Sequence, residues 1–149
     1  MDNFDLKSYL TNNPLLEEEG KLKLPSTYTP DRDKEYKKVL QRQIQDYIEG
    51  GGKGSLYLYN APITSLPDNL KVGGTLYLNK TPITSLPDNL EVDKGLNLSN
   101  TQITSLPHNL KVGRSLWLKN TPISKKYTKE EIRKMIEGKG GSVGGGIYL

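Results

Sequence analysis

Four aromatic side chains fall where a repeat would gather them on one surface. Tyr57, Tyr77 and Trp117 are separated by multiples of twenty residues, Asn97 fills the vacant place between them, and Tyr148 lies thirty-one residues beyond Trp117. A second column, Tyr59, Asn79, Ser99 and Lys119, runs beside the first. The chemistry open to such residues is contact rather than bond making: broad, rigid apolar rings, each with a polar tip that donates or accepts a hydrogen bond. The same aromatics also serve plain cross-strand packing, worth roughly 0.2–1 kcal/mol per pair. Covalent chemistry finds little to work with. The chain has no cysteine, and its single histidine, His108, takes the place held by Asp68 and Asp88 in neighbouring copies, a variable surface turn. Those two aspartates stand one copy apart with no third ligand, so they make no cation site. Glycines 50–52 and 144–146 lack the lysine and following Ser/Thr of a phosphate loop. With no nucleophile set beside a base, the expectation is a non-enzymatic protein with no catalytic residue, no metal site and no cofactor.

The elements that position these residues are written in the spacing. Leu56, Leu76, Leu96 and Leu116 keep one register, as do Leu58, Leu78, Leu98 and Leu118, and Ile63, Ile83, Ile103 and Ile123. A strict twenty-residue period means stacked coils that share one core, because a single coil cannot shield its own apolar face. Alternation over Leu56-Tyr57-Leu58 predicts a short strand with leucines inward and tyrosine outward. Ile63, Leu66 and Leu70, with Gly52 or Val72, return the chain across the back. Each coil thus turns about six apolar side chains inward. Asn69, Asn89 and Asn109 form a further column, expected to satisfy backbone groups at a corner.

Both ends carry helix signals. Pro30 suits the first position of a helix capped by Thr29, with Asp31 and Asp33 in its first turn. Tyr36, Val39, Leu40, Ile44, Tyr47 and Ile48 make one apolar stripe, and Gly50–Gly52 end it. This helix is expected to cap the stack. Residues 1–29 read as a short helix, around Phe4–Leu10, and a linker. At the other end, Thr128 with Glu131 forms a capping box for a helix over about 129–137. Val143-Gly-Gly-Gly-Ile147-Tyr148-Leu149 then repeats the pattern of Val72-Gly-Gly-Thr-Leu76-Tyr77-Leu78, so the helix reads as an eleven-residue insertion before a last strand. The predicted organisation is an N-terminal segment (1–29), a capping helix (30–50), a solenoid (51–124), and a C-terminal helix with a terminal strand (125–149).

Leu76-Tyr-Leu78-Asn-Lys-Thr81-Pro-Ile83, followed by Leu86-Pro87, resembles the core and trailing Leu-Pro of leucine-rich repeats, most closely the short twenty-residue bacterial class. The likeness spans about residues 53–124. It implies an α+β repeat solenoid, a leucine-rich-repeat-like parallel stack of about five short strands, whose strands line a concave face and whose back, with Pro67, Pro87 and Pro107, is extended. The family's ladder asparagine is replaced by Ala61, Thr81, Thr101 and Thr121, which implies a hydroxyl ladder broken in the first coil. Asp2-Asn-Phe-Asp-Leu-Lys-Ser-Tyr-Leu10 also resembles the starts of proteins encoded by tailed bacteriophages.

Charge bounds the partners. The formal net charge is +4, and the basic excess lies after residue 50, with 7 Lys+Arg against 4 Asp+Glu over 51–123 and 6 against 3 over 124–149. The expected function is a protein-interaction module, its concave face made by Tyr57, Tyr59, Tyr77, Asn79, Asn97, Trp117, Lys119 and Tyr148. One alternative is a self-assembling, phage-related structural protein that dimerises through the edge Ile147, Tyr148 and Leu149. Another is glycan or nucleic-acid binding by stacking on the same rings, with nucleic acid the less favoured because a solvated basic surface is common. No apolar run is long enough to span a bilayer, and no signal peptide is recognisable, which favours the cytoplasm and argues against a membrane partner.

Overall fold

The computed structural model describes residues 30–149 and the backbone of residues 16–17 and 21–22, with side chains from residue 34 onward. Within the segment read as a linker, β1 (Leu16–Glu17) and β2 (Lys21–Leu22) pair antiparallel. The short helix expected around Phe4–Leu10 and the Thr29 cap lie outside the described residues, as do the side chains of Asp31 and Asp33.

Helix α1 (Pro30–Glu49) lays Leu40 and Ile44, both buried, against the first coil, with Tyr36, Val39 and Tyr47 half-buried beside them. Ile48 does not belong to that stripe, being 38% exposed. The Tyr47 ring takes the contact at this turn, and its hydroxyl lies between the carbonyls of Gly52 and Gly54, at 2.6 and 2.7 Å. The helix then stops in a paired-bond turn. Gly52 N–H donates to Tyr47 O and Gly51 N–H to Ile48 O, with Gly51 at φ 85°, a conformation that glycine adopts without steric penalty.

Beyond this cap the chain winds as a β-solenoid. Five parallel strands, β3 (Leu56–Tyr57), β5 (Leu76–Tyr77), β7 (Leu96–Asn97), β9 (Leu116–Trp117) and β11 (Ile147–Tyr148), form one sheet in that order. A second, four-stranded parallel sheet was not foreseen: β4 (Lys71–Val72), β6 (Glu91–Val92), β8 (Lys111–Val112) and β10 (Ser142–Val143). Each coil therefore runs through both sheets and closes along a third side, the Ile-Thr-Ser-Leu-Pro stretch, which is neither helix nor strand. Six apolar side chains per coil point inward as the spacing requires, and in the second coil Val72, Leu76, Leu78, Ile83, Leu86 and Leu90 are all buried.

The threonines behave differently from the expected ladder. Thr81, Thr101 and Thr121 are buried, but each hydroxyl donates within its own coil, to Leu78 O, Leu98 O and Leu118 O at 2.6–2.7 Å. A hydroxyl is too short to span the strand spacing of about 4.8 Å. It satisfies the carbonyl at its own turn instead. An amide ladder runs between coils instead, at the asparagines: Asn89 Nδ2 donates to Asn69 Oδ1 at 3.1 Å, Asn109 Nδ2 to Asn89 Oδ1 at 2.8 Å, and Asn120 Nδ2 to Asn100 Oδ1 at 3.0 Å.

The C-terminal segment resumes the winding as its sequence predicts. A short helix, α2 (Pro122–Lys126), follows β9 and carries its own capping box, Thr121 with Ser124. Then α3 (Lys129–Gly138) starts from the predicted Thr128–Glu131 box and buries Ile132 and Ile136. Strand β10 pairs Val143 with Val112, and β11 pairs Ile147 with Leu116, the thirty-one-residue offset read from the sequence. Arg133 finishes the last coil. In the coil before it, Val112 O and Arg114 O accept the N–H groups of Gly144 and Gly145 at 2.8 and 2.7 Å. Their counterparts Val143 O and Gly145 O accept Arg133 Nη1 and Nη2, at 2.8 and 2.7 Å. The guanidinium thus stands in for a further strand. No helix among the described residues is long and apolar enough to cross a membrane.

On the outer face of the second sheet, Glu91 bridges Lys71 and Lys111, each at 3.3 Å. The hydrogen bonds from Lys111 and then Lys71 hold its carboxyl below the ordinary value of 4.5. Its contribution is complete above that value and is lost as pH falls through the depressed one. Glu91→Gln should therefore cost about 0.5 kcal/mol at neutral pH and low salt, and the gap between variant and parent in urea unfolding should close on acidification. Arg133→Met should cost about 1.5–3 kcal/mol, the scale of hydrogen bonds to a charged group. Amide exchange should accelerate first over residues 142–148; uniform acceleration along the solenoid would contradict the capping role.

Candidate interaction face

The register of the five-stranded sheet settles where the predicted contact residues go. Tyr57 pairs with Tyr77, Tyr77 with Asn97, Asn97 with Trp117 and Trp117 with Tyr148. Because the residue that opens each strand, Leu56, Leu76, Leu96, Leu116 or Ile147, is buried on the opposite side, all five project from one outer face. Alternation along an extended chain permits no other outcome.

The rings do not form one continuous row. Tyr57 and Tyr77 stack with centroids 4.9 Å apart and planes 5° from parallel, and Trp117 and Tyr148 stack at 5.8 Å and 16°. Asn97 separates the two pairs. Its Oδ1 accepts the N–H of Ser99 at 3.1 Å, which folds the amide back along its own strand. In the second column Tyr59, Asn79 and Ser99 are half-buried and Lys119 is exposed. The face is therefore two stacked pairs flanking a short polar rung.

Two glycines make this arrangement possible. The position two residues before each outward side chain is Ser55, Thr75, Gly95, Ser115 and Gly146 in successive coils. The Trp117 indole leans across onto the third coil and covers Gly95, which is buried; a Cβ there would lie 2.5 Å from Trp117 Cζ3 and 3.0 Å from Cη2. Tyr148 folds back over its own strand in the same way, so that a Cβ at Gly146 would meet its hydroxyl at 2.9 Å and its ring at 3.0 Å. Neither glycine has a left-handed backbone. Both are small because a ring rests on them. The signal was present in the sequence as a departure from the Ser/Thr column.

The proposed self-association edge divides. Ile147 is a core residue, only 4% exposed, because the first residue of each strand points inward. Tyr148 and Leu149 are 48% and 37% exposed. The N–H groups of Ile147 and Leu149, whose counterparts Leu116 and Leu118 donate to the next strand, have no acceptor among the described residues. A groove of about 490 Å³ runs between this strand and α3, past Arg133, Lys134 and Glu137. His108 and Asp88 are absorbed by a corner: the His108 N–H donates to Asp88 Oδ1 at 2.9 Å, and the imidazole Nδ1 stands 3.5 Å from the same oxygen.

Trp117 is the chain's single tryptophan, so its emission reports the seat directly. Gly95→Ser should displace the indole, shifting emission to the red and raising acrylamide quenching, at a cost of about 1–3 kcal/mol in stability. Ser115→Ala, one coil on, should leave the spectrum unchanged. No protein-family model, curated protein or solved structure matches this chain.

Proposed function

We propose that this chain is a non-enzymatic interaction module, built like the short leucine-rich repeats it resembles, that binds a polypeptide partner on the face carrying Tyr57, Tyr77, Asn97, Trp117 and Tyr148. The observation that carries this reading is the pair of ring stacks held in register on a flank that contributes nothing to the leucine core. Interface energy concentrates in rigid tyrosine and tryptophan side chains, which offer large contact area and lose little conformational freedom on binding.

The stacking geometry also favours a polypeptide among the candidate ligands. In each pair one face of either ring is covered by its neighbour, which halves the flat ring surface open to a visitor and leaves the ring edges beside it. Sugars and nucleic-acid bases are held by exposed ring faces. Polypeptides are held well by edges and hydroxyls, which meet backbone carbonyls and apolar side chains together.

Panning a displayed random-peptide library on the full chain supplies ligands whose site is then read by Trp117 emission and calorimetry. Tyr77→Ala is expected to weaken the selected peptides by about thirtyfold, the scale of a hot spot of about 2 kcal/mol, and Tyr77→Ala with Trp117→Ala to abolish binding. Circular dichroism should show both variants folded. Peptides that bind the double variant as tightly as the parent would refute the reading.

A further inference from the structure

The aromatic face is bordered by cations on both sides. Along the corner that joins the two sheets stand Lys53, Lys94 and Arg114; along the turn that follows the strands stand Lys80 and Lys119. All five are exposed, and none has an ion-pair partner among the described residues. Asp93 is the one acid among the residues of these two rims. The adjoining sheet treats its cations differently, since Lys71 and Lys111 are both neutralised by Glu91. Among the described residues, the same coils therefore pair their positive charges on one sheet and leave them without ion-pair partners around the rings.

Resting on the reading of this face as a polypeptide-binding surface, we infer that its partner is an acidic polypeptide, with apolar or aromatic residues set against the ring pairs and carboxylates toward the two cationic rims. An aromatic centre supplies affinity, and a like-signed rim steers encounter and rejects basic competitors. A neutral partner would gain nothing from five unpaired cations, and a basic one would be repelled.

A nucleic-acid strand fits the rims less well. Its phosphates follow one track, whereas these cations form two tracks about five residues apart, roughly 17 Å along an extended chain, with the rings between them. Base stacking, which supplies much of single-strand binding, finds one face of each of the four rings already taken by its partner. Carboxylates on both flanks of an apolar strip match the pattern directly.

The test uses the full chain and three short synthetic peptides, alternating Glu-Tyr, Gln-Tyr and Lys-Tyr, with oligothymidylate as the nucleic-acid probe, each titrated by Trp117 emission. The Glu-Tyr peptide should bind about tenfold more tightly than Gln-Tyr at low salt. That advantage should largely vanish at about 0.5 M salt, where charges are screened within roughly 4 Å. Lys94→Glu with Arg114→Glu should erase the preference and leave Gln-Tyr affinity unchanged, which excludes misfolding as the cause. Equal binding of the Glu-Tyr and Gln-Tyr peptides, with a full Trp117 response, would overturn the acidic partner while leaving the aromatic face as the binding surface. No Trp117 response to any peptide would remove both. Oligothymidylate binding more tightly than Glu-Tyr would overturn the inference in favour of a nucleic acid.

Discussion

Everything in this molecule depends on two left-handed residues per coil. Asn60, Asn69, Lys80, Asn89, Asn100, Asn109 and Asn120 all hold φ between 54° and 60°, a region that costs most L-residues roughly 1–2 kcal/mol. Asparagine tolerates it best, because its short amide finds hydrogen bonds close to the backbone. Here that amide also reaches the next coil, so the column at 69, 89 and 109 is at once the bend and the tie between bends. Gly140 continues the column at φ 80° beside Asn109 Oδ1. Lys80 is the exception. It holds the left-handed turn without an amide, and the outer ladder links Asn100 to Asn120 without including it. Corners at fixed places keep the strands in register, and register is what sets the aromatics side by side.

A stack of this kind has to be finished at both ends, and the chain uses one solution twice. Helices α1 and α3 each lay an apolar face on a terminal coil and stop in the same paired-bond glycine turn. At α3, Gly141 N–H reaches Ile136 O at 2.9 Å and Gly140 N–H reaches Glu137 O at 3.0 Å. The polar part of the problem is met separately. Tyr47 holds the first corner through its hydroxyl, and Arg133 supplies the two donors that a following coil would have provided. Charged hydrogen bonds suit such a place because one flexible side chain satisfies two carbonyls that would otherwise lack protein donors.

The parts of this fold that were legible in the sequence are those that repeat with large apolar residues. Leu56, Leu58 and Ile63 with their successors announce strand, face and core, and the Val143–Leu149 echo of Val72–Leu78 predicts the last pairing across an inserted helix. The second sheet escaped because each of its strands turns only one valine inward and its outward residues, Lys71, Glu91 and Lys111, look like ordinary loop charges. Direction escaped as well: the twenty-residue spacing shows that threonines and asparagines stand in columns, but not that the hydroxyls bond inward to their own coil while the amides bond along the stack. Of the site, the column of outward residues was readable. Its interruption at Asn97 was readable too, and Gly95 and Gly146 stood out from the Ser/Thr column, but the pairing of the rings was not, because a small residue signals a seat only once the ring above it has been placed.

Packing and recognition are often set against each other as explanations for exposed aromatics, yet on this face one produces the other. An isolated surface tyrosine samples several rotamers, and a partner must bear about 0.5–1.5 kcal/mol to immobilise each such side chain. Stacking Tyr57 on Tyr77, and Trp117 on both Gly95 and Tyr148, restricts those rotamers within the free protein. The rings thus gain cross-strand stability from one another and present edges already ordered. The interruption at Asn97 follows the same logic: five large side chains one strand spacing apart would leave the Trp117 indole no floor to lean on, whereas a short amide folded toward Ser99 opens the space above Gly95. The polar rung that breaks the row is therefore a condition for the rigidity of the rings on either side of it.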